Sequence, residues 1–110
     1  MAYNEDPASR VRELLAGEPG ASEKKMFGGL SFLISGNMAC GVLSDDLVVR
    51  VGPDAHNDAM TQPHVRPMDF TRRPMKGMVY VGAAGFESPD DLKGWVDRGL
   101  RFARSLPPKY

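Results

Sequence analysis

The sequence predicts one α+β domain in which helices pack on an antiparallel sheet. Three observations indicate this class. Two segments, one near each end of the chain, carry apolar residues at helical spacing. The stretch from residue 25 to residue 51 holds short apolar runs separated by tight turns, which join antiparallel neighbours. The length of 110 residues fits a single domain with a modest core.

The first helix has recognisable start and stop signals. Asp6 is expected to cap the free N–H groups, and Pro7 fits the first helical position. Gly17 is a natural stop, because glycine adopts the left-handed conformation that ends helices. The apolar residues that recur at helical spacing between these signals are Ala8, Val11, Leu14 and Leu15.

A meander of three or four strands is expected next. The segment Ser35–Asn37 is a good hairpin turn, and Ser44–Asp46 turns the chain again. The apolar or β-branched runs around these turns are Lys25–Phe27, Leu30–Ile34, Met38–Leu43 and Leu47–Val51.

The second half of the chain is expected to add a helix, two strands and a final helix. A weak helix opens at Gly52–Asp54 and continues to Met60. A short strand is expected near Met68–Phe70, followed by a better one at Gly77–Val81. The prolines between residues 61 and 76 keep the rest of that segment irregular. The predicted order is therefore α-β-β-β-α-β-β-α.

The last helix carries the most complete set of signals. Ser88 caps it, Pro89 starts it, and the dipeptide Pro107-Pro108 ends it. Its broad apolar stripe faces the sheet and consists of Leu92, Trp95, Val96, Gly99, Leu100, Ala103 and Leu106.

Composition excludes several classes of protein. The chain has 14 basic and 14 acidic side chains, and a balanced charge disfavours strong nucleic-acid binding, which relies on phosphate contacts. Cys40 is the single cysteine, so no disulfide forms within the chain. The polar N-terminus is not a signal peptide, and no apolar run is long enough for a membrane span. We therefore expect a cytoplasmic protein.

Several blocks of the sequence resemble the N-terminal domain of the TfoX/Sxy competence regulators. They are Lys25–Gly29, Arg73–Val81 and Ser105–Lys109, and the likeness extends over roughly residues 3–109. The resemblance implies a helix, a three-stranded meander, a second helix, two more strands and a final helix. It supplies no catalytic residues and no cofactor. It implies a non-enzymatic regulatory or protein-interaction module.

Larger members of that family carry a second, C-terminal domain, whereas this chain stops at Tyr110. We therefore expect a single domain over residues 1–110, a stand-alone copy of the N-terminal domain. A protein partner or self-association, as in a homodimer, is the expected mode of action. Nucleic-acid binding is not favoured, and no membrane association is expected.

A second hypothesis is that the domain binds a small anionic ligand. Cations lie beside glycines, whose backbone N–H groups approach anions closely. If the two glycine-containing blocks come together in the fold, they form a basic site. The alternative is ordinary surface charge in weak ion pairs. The candidate residues for an anion or partner are Lys25, Gly28, Gly29, Arg50, Arg73 and Lys76.

Other candidate sites are less favourable. The face formed by Arg98, Arg101 and Arg104 is either a phosphate-binding surface or a solvated helix face, and the second is favoured. No metal site is expected, because His56 and Asp58 lie two residues apart and point to different faces of a helix. Cys40 is expected to be a small buried core residue.

The methionines allow two interpretations. Met26, Met38 and Met78 are expected to fill the core under the helices. Met60 is expected to be exposed together with Met68 and Met75, and such flexible apolar side chains suit an interface.

Overall fold

The computed structural model describes residues 4–26, 28–67 and 77–108. Within these residues six strands form one antiparallel sheet, and three helices pack on one of its faces. The predicted α+β class and the order of elements are confirmed. The meander that precedes the second helix has four strands, one for each of the short runs seen in the sequence.

The strands are short, and they pair mostly with their neighbours in sequence. The sheet order is β1-β2-β3-β4-β6-β5, so the later strand β6 joins the meander at β4. The expected strand at Met68–Phe70 lies outside the described residues. The strands are β1 Ala21–Met26, β2 Gly29–Ile34, β3 Asn37–Leu43, β4 Asp46–Arg50, β5 Val65–Pro67 and β6 Met78–Val81.

The turn between β2 and β3 forms where the sequence predicts it. Ser35 and Gly36 both have positive φ angles, of 50° and 84°, as a tight hairpin requires. The pairing then shifts register between Phe32 and Leu33, which leaves Ala39 as an extra residue of β3. This bulge turns the Ala39 carbonyl region toward the helix layer, where it meets the final helix.

Helix α1 spans Glu5–Leu15, and its cap differs from the prediction. The cap is Asn4, whose side-chain oxygen accepts a hydrogen bond from the Asp6 N–H at 3.0 Å. The Asn4 backbone N–H donates to the Ser44 carbonyl at 2.7 Å, so a tertiary contact fixes the start of the helix. Leu14 is 39% exposed, which makes the buried stripe of α1 narrower than its apolar residues suggest.

The other two helices complete the layer. Helix α2 covers His56–Met60 and starts later than expected. The Gly52 N–H donates to the Gly77 carbonyl beside β6, and residues 53–55 then form a turn before the helix. Helix α3 spans Pro89–Arg104, and its predicted cap is confirmed, since the Ser88 hydroxyl accepts from the Asp91 N–H. A 3-10 turn at Ala83–Gly85 connects β6 to α3.

One continuous apolar core lies between the sheet and the helices. Alternate residues of the central strands point into it, as the paired residues Val49 and Val79 show. Trp95 and Val96 of α3 pack against them from the helix layer. Each such side chain contributes about 1.5–3 kcal/mol on burial, so these contacts dominate the stability of the domain.

Two hydrogen-bonded contacts hold the ends of the helix layer to turns of the sheet. Asn4 at the start of α1 bonds Ser44 through its backbone, and its side-chain amide donates to Asp45. Asn37, which is 1% exposed, donates from its side-chain amide to the Pro107 carbonyl at 2.8 Å. Ser44 and Asp45 belong to the turn that joins β3 to β4, and Asn37 directly follows the turn that joins β2 to β3.

Candidate functional site

The face of the sheet opposite the helices carries a second apolar cluster, which we call the open-face patch. Its members are all strand residues, and no helix residue belongs to it in the part of the chain that the structure describes. Val48 lies at its centre, because the register aligns it with Gly41 on one side and with Tyr80 on the other. The patch consists of Val48 and Met78, which are only 3% and 9% exposed, and of the half-buried Met38, Leu43 and Tyr80 packed around them.

Two glycines make this patch flat. A Cβ atom on Gly41 would lie 3.3 Å from the Met38 Cε atom, and one on Gly29 would lie 3.2 Å from the Leu43 Cδ1 atom. The two long apolar side chains therefore lie down on the glycines. They remain half-buried on a level surface, which is the shape that another flat surface can cover.

Charged residues border the patch at its outer strands. At one edge, Arg66 forms an ion pair with Asp46 at 2.7 Å and stacks over the Tyr80 ring at 5.1 Å. At the other edge, the register places Lys24 of β1 beside Ser31 of β2. An apolar centre with a charged rim is the usual anatomy of a protein interface.

The expectation that Met38 and Met78 lie under the helices is wrong. Val79 points toward the helices, and because side chains alternate along a strand, Met78 and Tyr80 point the other way. Met60 is half-buried against the main core. The side chain of Met26, together with residues Met68 and Met75, lies outside the described residues.

The structure disperses the described members of the predicted anionic site. Lys25 is exposed on the edge strand β1, whereas Arg50 ends β4, three strands away, with its guanidinium over the Phe102 ring at 5.1 Å. Gly28 follows β1 with a φ of 76°, and Gly29 begins β2. The other two candidates, Arg73 and Lys76, lie outside the described residues.

The described glycines of the two blocks, Gly28 and Gly77, lie at opposite ends of the sheet. Residues paired across neighbouring strands connect Lys25 to Leu30, then to Val42, Leu47 and Val81, so all five lie at one end of the sheet. Gly28 follows β1 at that end, which is also the end where β6 finishes. Gly77 precedes β6 and lies at the opposite end, packed against Gly52. Its N–H donates to His56 Nδ1 at 2.9 Å.

The three arginines of α3 have different ion-pair neighbours. Arg98 forms an ion pair with Asp58 of α2, whereas Arg104 pairs with Glu18 after α1. Arg101 lies between them in sequence and makes no ion pair among the described residues. Two of the three cations are therefore used in solvent-accessible ion pairs with neighbouring elements, which fits the favoured interpretation of a solvated helix face.

Cys40 lies in the core, as the sequence predicts. Burial raises the pKa of its thiol to about 12, so the reactive thiolate is scarce at neutral pH. Among the residues that the structure describes, no group of three His, Cys, Asp or Glu side chains is placed to hold a metal ion. None of the described helices has the length and apolar character needed to cross a membrane.

These features define the class of the protein: a two-layer α+β domain with helices on one face of its sheet and an apolar patch on the other. The model of the TfoX N-terminal domain matches residues 13–103. The chain belongs to the TfoX N-terminal domain family. No curated protein and no solved structure matches it.

Proposed function

We propose that the domain is a non-enzymatic regulatory module whose open-face patch binds a second copy of the same chain. The observation that carries the proposal is that the second apolar cluster consists of strand residues on the face away from the helices. Membership of the TfoX N-terminal domain family supports a TfoX-like module. The equal numbers of basic and acidic residues make a nucleic-acid partner less favourable than a protein.

The register of the strands supports self-association. Two copies can be placed face to face around a two-fold axis that runs across the strands at the level of Ser31 and Gly41. Leu33 of one copy then lies over Gly29 of the other. The same axis would place Met38 of one copy against Leu43 of the other. Large side chains then meet a glycine or another apolar group, which is the self-complementarity that a symmetric dimer requires.

The area of the whole sheet face that carries the patch sets an upper limit on the interface and so on the expected affinity. Six strands spaced about 4.8 Å apart give a width of about 24 Å, and five residues per strand give a length of about 17 Å. The resulting flat area of about 400 Å² is half of the roughly 800 Å² that each partner contributes to a standard interface. We therefore expect a weak, reversible dimer with micromolar or weaker affinity.

The test is the mass of the full chain in solution, measured by sedimentation equilibrium from low micromolar to near-millimolar concentration. Wild type should shift from the monomer mass toward twice that mass as concentration rises. Leu43→Glu should remain monomeric with a nearly unchanged melting temperature, since Leu43 is only half-buried and the new carboxylate reaches water in the monomer.

Leu14→Glu is the matched control. It makes the same change from an apolar to an acidic side chain on an exposed residue of α1, in the opposite layer. It should dimerise as wild type does. A wild-type chain that stays monomeric at the highest concentration would rule out self-association, and equal dimerisation by Leu43→Glu would place the interface elsewhere.

A further inference from the structure

Gly94 occupies a helical position where nothing in the described packing requires glycine. It lies within α3, and a Cβ atom built on it would meet no described atom within 4 Å. Gly99, five residues further on, differs, because its Cβ would lie 2.3 Å from the Ala39 carbonyl oxygen. Glycine destabilises a helix interior relative to alanine, so an unneeded glycine suggests that open space beside the helix has a use.

Two cavities meet at Gly94. One, of about 430 Å³, extends toward the N-terminal end of α3 and includes His64 and Trp95 in its lining. The other, of about 550 Å³, extends toward the C-terminal end, with Val51 and Phe102 among its lining residues. Gly94 and Arg98 line both, so together the cavities form one groove along α3, and its larger half has the volume of a small-molecule site.

Arg98 lies at the middle of this groove in a fixed position. Its guanidinium stacks over the Trp95 ring at 4.9 Å and pairs with Asp58 at 3.1 Å. The Asp58 side chain is 70% exposed, so this ion pair is weak and a competing anion can replace the aspartate. Stacking on Trp95 holds the guanidinium in place during that exchange.

The larger cavity has one further cation and an apolar wall. Arg101 lies three residues after Arg98, on the same side of the helix, and makes no ion pair among the described residues. The acidic group Asp97 is already paired with Lys93 at 3.0 Å. The apolar wall is formed by Val51, Ala55 and Phe102.

The two halves of the groove differ in charge. Asp58 and Asp97 line the larger cavity, but they are paired with Arg98 and Lys93. Asp90 and Asp91 line the smaller cavity and form no ion pair among the described residues, so they repel an anion there. The anionic end of a ligand is therefore directed to the larger cavity, toward Arg98 and Arg101.

We propose that this groove binds a small organic monoanion. Its carboxylate or sulfonate contacts Arg98 and Arg101, and its apolar body lies against Val51, Ala55 and Phe102. The missing side chain of Gly94 lets that body approach the helix backbone closely. This site is distinct from the open-face patch, and neither proposal depends on the other.

The probe for the test is 8-anilinonaphthalene-1-sulfonate, an aromatic monoanion whose fluorescence rises in apolar sites. Its uncharged counterpart, N-phenyl-1-naphthylamine, serves as the control for charge. The full chain should bind the sulfonate saturably and at least tenfold more tightly than the uncharged compound. Backbone NMR shifts induced by the sulfonate should centre on Gly94, Arg98 and Phe102.

Three variants locate the site. Arg101→Gln should weaken sulfonate binding by on the order of tenfold, since it removes a charged hydrogen bond. Gly94→Leu should abolish binding by filling the groove while the melting temperature confirms a folded chain. Arg104→Gln is the matched control, because it removes the same charge from the same helix outside the groove, and its affinity should equal that of wild type.

Several results would overturn the proposal. Equal affinity for the charged and uncharged compounds would remove the role of the arginines. If Arg101→Gln and Arg104→Gln weaken sulfonate binding equally, the effect comes from the net charge of the chain and not from a contact in the groove. Shifts centred on Val48 and Tyr80 would assign the probe to the open-face patch, and absence of saturable binding would leave the groove without the proposed ligand class.

Discussion

The same substitution at two positions of α3 should change stability in opposite directions. Gly94→Ala adds a Cβ atom that meets no described atom within 4 Å, so only the helix propensity changes. Alanine is favoured over glycine in a helix interior by about 0.5–1 kcal/mol, because it restricts the unfolded chain. We expect the free energy of unfolding to rise by that amount.

Gly99→Ala adds its Cβ where α3 touches the sheet. The new atom would lie 2.3 Å from the Ala39 carbonyl oxygen, so helix and strand must separate by about 0.7 Å to reach 3.0 Å. The obstacle is backbone and cannot rotate aside. Overpacking of this kind costs about 1–3 kcal/mol, so we expect a net loss of about 1 kcal/mol after the gain in helix propensity.

The assay is urea unfolding followed by fluorescence of Trp95, the one tryptophan of the chain, with thermal unfolding by circular dichroism as a second probe. Since 1 kcal/mol shifts the melting temperature of a domain this size by about 4–8 °C, a difference of about 2 kcal/mol should separate the two variants by about 8–16 °C. The double variant should show roughly the sum of the two effects. Destabilisation by Gly94→Ala, or a neutral Gly99→Ala, would refute this account of how α3 packs.

Two further predictions concern buried groups. Burial raises the pKa of the Cys40 thiol to about 12 from an ordinary value of 9.0. Above pH 9 the unfolded chain therefore loses this proton while the folded chain keeps it. The free energy of unfolding falls as the pH rises through this range. Urea unfolding at pH 8 and pH 10 should show a loss on the order of 1 kcal/mol larger in wild type than in Cys40→Ala, and equal losses would contradict the buried, protonated thiol. Asn37→Ala removes the donor to the Pro107 carbonyl and should cost about 1–3 kcal/mol, whereas Asn57→Ala on the exposed side of α2 should stay within about 0.5 kcal/mol. Similar unfolding curves for these two asparagine variants would show that the Asn37 contact contributes little.

Local signals in the sequence were sufficient for most of the fold. Ser88 and Pro89 start α3 because the cap and the first turn involve only neighbouring residues. The start of α1 could not be assigned in the same way. Asn4 and Asp6 are both good caps, and the choice of Asn4 depends on its bond to Ser44, which is forty residues away in the sequence.

The candidate sites depended more strongly on tertiary arrangement. Alternation predicts that Val79 and Tyr80 face opposite sides of the sheet, but it does not say which side the helices cover. Gly28 and Gly77 resemble each other in sequence context, yet the pairing of β6 with β4 rather than with β1 sends them to opposite ends of the sheet. The sequence alone does not single out Gly94, because its distinguishing feature is that no described atom lies within 4 Å of where its Cβ would be.

The two asparagine contacts also determine where anything attached to this domain must lie. Asn4 is held at the turn that follows β3, and Pro107 is held at the turn that precedes it, so the two ends of the helix layer leave the sheet at opposite ends of one strand. Seven residues of β3 at about 3.3 Å each separate these points by roughly 20 Å. The described chain therefore begins and ends, at Asn4 and Pro107, at opposite ends of the sheet. In a circular permutant, the segment that leads from Pro107 to Asn4 would need at least about seven extended residues.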